Sequence, residues 1–371
     1  MSVTIVTAAI CLVATSAALR ADDLQARQEP SAERLPAEAV NPGPKTEGGN
    51  DDVQQIRAKL FKKYGDHCLY EIDDQLKIVF ATNADARTLA EMKVRLKAHA
   101  DALHRDLFDH GLTNYLAVVV PNKWTNLKVT GHYYPGFVDA RTIGADLNHE
   151  FTHALHFADQ QARNQTHPIW ICEGLASLYE NSKVIDGHAV PRPSRRLIGL
   201  QAQVKDHKQL PWAQFVKLEH RQFTSHHYAQ ACYMFMYLYE RHMLKKWYDA
   251  YVAGYDQDPT GGTALETVYG KSLADLDKTW SEWVSKLVPP KVALAAGHGS
   301  LGIHTFQEAD GLVIVGLLDD SPVEDEGLTI GDVIVRVAGE RVIELQDLIN
   351  AIDPHAVGDQ IKVEYRRGSE Y

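Results

Sequence analysis

The stretch HEFTHALHFAD, residues 149–159, lets its side chains act together in only one regular backbone conformation. Residues four apart on an α-helix lie about 40° apart around the axis and one turn along it, so a helix here brings the imidazoles of His149 and His153 to one point. Two neutral imidazoles on a rigid helix lose little entropy when they share a zinc ion. Glu150, one step round the helix, can then reach a zinc-bound water rather than the metal itself. Such a site needs a third donor, so the chain has to return another carboxylate or imidazole to this helix.

Two downstream residues can supply it. Asp159 lies six residues past His153, where a chain that leaves the helix sharply on a Gly places its third ligand. Here His156 stands where that turn needs Gly, and a His has no easy route to positive φ. Glu173, in HPIWICEGLASLYE, falls on a second helix opened by Pro168 and patterned by Ile169, Leu175 and Leu178. Nineteen residues separate it from His153, enough for a loop and an antiparallel return. The missing Gly favours Glu173; Asp159 is the alternative and would impose a different fold. Nearby, Asp146 suits the N-cap of the first helix, with a place near the metal as the alternative, and His156 is expected to pack behind the site or orient a ligand, with ligation as the alternative. Glu180 either orients a ligand histidine or is a solvated helix acid, and Cys172, about 100° round the helix from Glu173, is expected to be a buried thiol.

Around this pair the chain divides. With 371 residues it exceeds what one core usually organises. An apolar run from Val3 to Leu19, followed by small residues, reads as a secretory leader cut after Ala18 or Ala21 and spanning 1–21, which implies an exported protein. No second apolar run reaches spanning length. Residues 22–52 carry too few large apolar groups to offset the entropy of ordering and read as a linker, with Asp52 placed to cap the helix that follows. A domain over 53–290 begins with LYEIDDQLKIVFAT, two strands around an Asp-Asp turn. A long helix ending at Gly111 and the strand NYLAVVVPN complete a small mixed sheet. GHYYPGFVDART is an edge strand or a plain surface hairpin. Helical patterning covers Ile169–Asn181, Arg195–Val204, Trp212–Leu218, His226–His242, Lys246–Tyr255 and Leu273–Leu287, and Pro289-Pro290 closes it. Residues 297–371 change character, with Gly-punctuated β-branched runs around the short helix ELQDLINAI. The fold class is therefore α+β, with a small sheet, a mainly helical second lobe and a β-rich C-terminal domain. A net charge of -11 argues against nucleic acid as a partner. Without the leader three cysteines remain, Cys68, Cys172 and Cys232, which form neither a disulfide framework nor a cysteine-ligated metal site.

HEFTH followed by WICEGLASLYE resembles the gluzincins, the thermolysin-like and aminopeptidase-like zinc peptidases, and the order of elements from Leu69 to Leu287 is similar to their peptidase MA-like domains. The resemblance implies a zinc metallopeptidase with His149, His153 and Glu173 as ligands and Glu150 as general base. It implies too an oxyanion donor on a later helix, with Tyr228 first and His226 or His227 as alternates. SLGIHTF and SPVEDEGLTIGDVIVRVAGERVIELQDLINAI resemble bacterial PDZ domains. In those, a loop here matched by Ser300, Leu301, Gly302 and Ile303 cradles a C-terminal carboxylate, and an extended peptide adds to the sheet edge. Such a domain normally continues into a final strand where this chain reaches GSEY. The implied partners are a peptide or protein substrate and a protein C-terminus. A reading of another class is a catalytically inactive, peptidase-derived binding protein with structural zinc, acting through its PDZ-like domain.

Overall fold

The computed structural model of the chain describes residues 1–7, 50–120, 131–291, 298–318 and 321–368, and no helix among them is long and apolar enough to cross a membrane. Most of the expected linker lies outside the described residues. In chain order the elements are β1 (Ser2–Val6), α1 (Asn50–Tyr64), β2 (Leu69–Asp73), β3 (Ile78–Thr82), α2 (Ala86–Asp106), β4 (Leu116–Val120), β5 (Gly131–Tyr134) and β6 (Phe137–Ala140). There follow α3 (Ala145–Arg163), α4 (Ile169–Tyr179), β7 (Lys183–Ile185), β8 (His188–Val190), α5 (Arg196–Lys205), α6 (Trp212–Phe215), α7 (Ser225–Glu240), α8 (Leu244–Ala253), α9 (Gly262–Tyr269) and α10 (Leu273–Val284). The C-terminal region holds β9 (Ile303–Glu308), β10 (Gly311–Leu317), α11 (Pro322–Asp325), β11 (Val333–Val337), β12 (Glu340–Arg341), α12 (Leu345–Ile352) and β13 (Gln360–Arg366). The architecture is mixed α+β, helical in the middle and β-rich at the C-terminal end.

The first sheet has the order β2-β3-β4-β6-β5, with β3, β4 and β6 mutually parallel and the flanking strands antiparallel. IVFAT and LAVVV are buried along their whole length because both faces are covered, which is why they read as unbroken apolar runs. Side chains alternate across the pleat. Val79, Ala81, Ala117 and Val119 face Val53 and Leu60 of α1, while Ile78, Phe80, Val118 and Val120 join α2 and α3 in the main core. This leaves β5 at one edge of the sheet. Helix α1 starts at Asn50, so Asp52 lies inside it rather than capping it. Helix α2 ends at Asp106, before Gly111, and Asp85 caps its start through Thr88 N. Asp146 is not a cap either: α3 begins after Gly144, and Asp146 sits in the first turn, where an acid is favoured by the helix dipole. The middle lobe packs around large aromatics, with Trp170 stacked on Phe235 at 5.1 Å and Trp247 beside both. The helix expected over Trp212–Leu218 is a single turn, and α9 was not expected. Cys68, Cys172 and Cys232 are free thiols.

The second sheet has the order β1-β13-β11-β10-β9, with β12 paired to β11. Its outermost strand comes from the run read as a leader. Ser2–Val6 pairs antiparallel with Gln360–Glu364, Ile5 is fully buried, and the Thr7 hydroxyl donates to Ala356 O at 2.7 Å. β1 therefore lies beside β13 as the outer strand of this sheet. The rest of the run lies outside the described residues.

Candidate metal centre and peptide groove

Helix α3 carries HEFTH on its inner side, and α4 returns antiparallel to it after Asn164, whose left-handed conformation ends α3. The return brings three donor atoms together. His149 Nε2 and His153 Nε2 are 3.2 Å apart, and Glu173 Oε2 lies 3.3 Å from the first and 3.4 Å from the second. A tetrahedral zinc ion with bonds of about 2.0–2.1 Å needs its ligand atoms about 3.3–3.4 Å from one another. The triangle already has those edges, so the residues fit such an ion. Among the described residues this is the group of His, Cys, Asp and Glu that could hold a metal ion.

The surroundings hold the triangle in place. His149 Nδ1 donates to Glu180 Oε2 at 3.2 Å, which points Nε2 inward, and Glu180 is gripped by Arg196 through Nε and Nη2 at 3.0 and 3.1 Å. Asn148 donates to the Glu180 carbonyl at 3.1 Å, tying α3 to the end of α4. Glu180 thus orients the His149 ring and is not a solvated acid. Burial lowers the His149 ring's proton affinity, but Glu173, Glu180 and Glu150 together override it and raise the ring to about 10 in the absence of metal. Burial raises Glu173, yet the two histidines hold it well below the usual carboxylate range. This pocket of three carboxylates and two imidazoles favours positive charge at its centre. Tyr133 of β5 stacks on His153, ring centres 6.1 Å apart, and packs against that ring.

Glu150 is buried beside the triangle, against the edge strand. A Cβ added at Gly131 would lie 2.8 Å from Glu150 Cγ and 3.1 Å from its Oε1. Glycine at this position is what lets β5 pass so close to the carboxylate. Gly131 was missed in the sequence, since nothing in GHYYPG marks which glycine meets a side chain from another element.

Asp159 is elsewhere. It accepts from Tyr248 Oη at 2.7 Å, Arg163 Nε at 2.9 Å, His110 Nδ1 at 2.8 Å and the Asp109 and His110 backbone, and it fastens α3 to the loop after α2. His156 lies behind the site, stacked on Phe108 and bonded to His167 at 2.8 Å. Burial pushes the Cys172 thiol up to about 12, which leaves it protonated and inert. Of the later-helix candidates, His227 caps its own helix through Thr224 N and His226 meets Gln203 at the surface. Tyr228 lies beneath the Arg196 guanidinium, 5.7 Å from ring centre to carbon, so it borders the Arg196–Glu180–His149 chain.

In the C-terminal sheet β9 is the end strand, and the loop before it holds Ser300, Leu301 and Gly302, with Ile303 opening the strand. Gly302 takes φ +64° and donates its N–H to Ser300 Oγ at 3.2 Å; Leu301 is buried, and its carbonyl accepts from Ser321 Oγ at 2.9 Å. The loop is fixed from both sides, and Phe306 on β9 is exposed.

Residues 299–371 match a family model described as a PDZ domain. No curated protein sequence matches the chain. Among solved structures it is similar to an aminopeptidase N family protein from Idiomarina loihiensis, at 13% identity and a TM-score of 0.33 over 82% of this chain and 65% of that one. It is similar also to an M1 zinc metallopeptidase from Deinococcus radiodurans, at 16% identity and a TM-score of 0.30 over 57% of this chain and 49% of that one. The chain therefore spans less than two thirds of the length of either.

Proposed function

We propose that this chain is an exported zinc metallopeptidase whose PDZ-like module binds peptide or protein. The observation that carries the reading is the donor triangle of His149, His153 and Glu173 beside a buried Glu150. Those three residues would hold the ion, and zinc, when bound, supplies a Lewis acid that acidifies water and polarises a carbonyl. The remaining work falls to the chain. Glu150 takes a proton from the attacking water and returns it to the leaving nitrogen. Glu180, held by Arg196, keeps His149 in the tautomer that presents Nε2. Strand β5, at the edge of its sheet, offers backbone groups to an extended peptide, and Tyr228 is the donor assigned to the developing oxyanion. In the second sheet, the Ser300–Ile303 loop and the β9 edge receive a peptide C-terminus. Export rests on the apolar run Val3–Leu19 with its small residues, whereas the pairing of Ser2–Val6 with β13 requires that run to be kept; fractionating cells that express the full chain and sequencing the N-terminus of the protein recovered decides between a cleaved leader and a retained strand.

The central test compares purified wild type with Glu150→Gln, measuring zinc content and hydrolysis of a peptide library. Loss of the base lowers the rate by about 10²–10⁴-fold with zinc content unchanged. Hydrolysis at the wild-type rate by the zinc-loaded variant refutes the mechanism. A zinc-loaded wild type that cleaves nothing replaces it with the binding-protein reading.

A further inference from the structure

The PDZ-like module is not merely tethered to the rest of the chain. Two of its residues, Ala309 and Ile343, belong to the main hydrophobic core of the helical lobe, 1% and 3% exposed. Both meet the short segment that leads into α3. Ile143 N donates to Ala309 O at 3.0 Å, in the manner of a sheet ladder, and the Ile343 side chain lies 3.0 Å from where a Cβ on Gly144 would be. A fork of Arg341 Nε and Nη2 onto Glu91 of α2, at 2.7 and 2.8 Å, and a bond from Thr88 Oγ1 to Asp310 at 3.3 Å fix the same face. Burial and the neighbouring acids Asp347, Asp146 and Glu180 raise the Glu344 carboxyl to about 7, so the head of α12 lies within the electrostatic reach of the metal site's own surroundings.

The position of these contacts within the module matters most. Ala309 directly follows β9, and Ile343 directly precedes the N-cap of α12, to which it is locked by Asp347 accepting from Ile343 N at 3.0 Å. In the PDZ-like reading, β9 and α12 are the two walls of the peptide groove. Both walls end on Thr142–Gly144, and His149, Glu150 and His153 sit on the helix that starts there.

We infer that Ala309 and Ile343 are positioning residues for the metal-bearing helix, so that the peptide groove and the metal centre are energetically linked. A shift of either wall moves the entry of α3, and order imposed on α3 is felt by the walls. The coupling is reciprocal, so it can be read from the metal side without knowing the peptide. The inference rests on the metal-site reading above, and the test separates the two.

Hydrogen exchange is followed in the full chain with and without zinc as the sole probe. Zinc is expected to slow exchange in α3 and α4 and, by about fivefold or more, in residues 303–309 and 343–352. Ile343→Ala abolishes the distant protection and keeps the local one, while Ile343→Val restores both. Because a void at Ile343 can loosen the core itself, Glu91→Gln is made in parallel. It breaks the rim fork without touching the core and reduces the distant protection. Zinc that protects α3 and α4 in wild type but leaves 303–309 and 343–352 unchanged overturns the coupling and leaves the metal centre standing. Zinc that protects no segment overturns both.

Discussion

Replacing Glu180 by Gln tests the wiring behind the candidate metal centre. The carboxylate accepts from two Arg196 nitrogens at 3.0 and 3.1 Å and from His149 Nδ1 at 3.2 Å. Burial would raise it, but Arg196 and His149 hold it at about 2, against an ordinary 4.5. The difference corresponds to at most about 3 kcal/mol in favour of the charged form. Because the folded value is depressed, that stability is fully present above pH 4.5 and is lost as pH falls through about 2. A Gln side chain keeps the shape but opposes its NH₂ either to Arg196 or to His149 Nδ1, both of which are donors. His149 loses its anionic acceptor and becomes a weaker ligand, and losing such a partner costs about 10–100-fold in metal affinity, or about 1.4–2.7 kcal/mol. The assay is chelator competition for zinc at neutral pH on wild type and Glu180→Gln, with Arg196→Met to isolate the guanidinium's share. A zinc Kd for Glu180→Gln within about twofold of wild type refutes the claim that this carboxylate orients the ligand.

Two further outcomes follow from the same geometry. Gly131→Ala places a methyl 2.8 Å from Glu150 Cγ, so the base has to move; kcat/KM is expected to fall about 10–100-fold with zinc content unchanged, and unaltered kinetics would remove Gly131 from the site. With His149 raised to about 10 in the metal-free protein, zinc displaces at least one proton on binding. Its affinity therefore weakens about tenfold for each pH unit lost through the neutral range, and calorimetry in buffers of different ionisation enthalpy counts the proton; binding with no proton release contradicts the charge balance described here.

The site was legible to unequal degrees. The pairing of His149 with His153 follows from helix periodicity alone, because four-residue spacing fixes a shared face whatever the tertiary fold, and Glu150 follows from its place one step round the same helix. Glu173 was reached by excluding a turn that His156 cannot make, and the hub that Asp159 forms with Tyr248, Arg163 and His110 accounts for that acid without a metal. Glu180 stayed open because a carboxylate seven residues along a helix faces a ligand or solvent depending on what packs beyond it, here Arg196 on another helix. Asp146 reads as a cap from its residue type, but the chain enters α3 through Gly144, which the Ile343 side chain approaches closely from some 200 residues later. Helix α9 escaped notice since Gly261 and Gly270 bracket only eight residues, too few for a period to emerge. Strand β1 was illegible for a different reason. Its apolar run carries the same signature as a leader, and its partner lies at the far end of the sequence.

That last pairing has a consequence for how the chain is made. Ser2–Val6 is synthesised more than 350 residues before the strand it lies against, so its backbone groups have no ladder while the ribosome works through the helical lobe. The C-terminal sheet can then take Ser2–Val6 as its outer strand only once Gln360–Arg366 has been made. Any affinity tag fused ahead of Met1 would sit beside Tyr365, at the rim of a folded sheet, instead of on a loose tail.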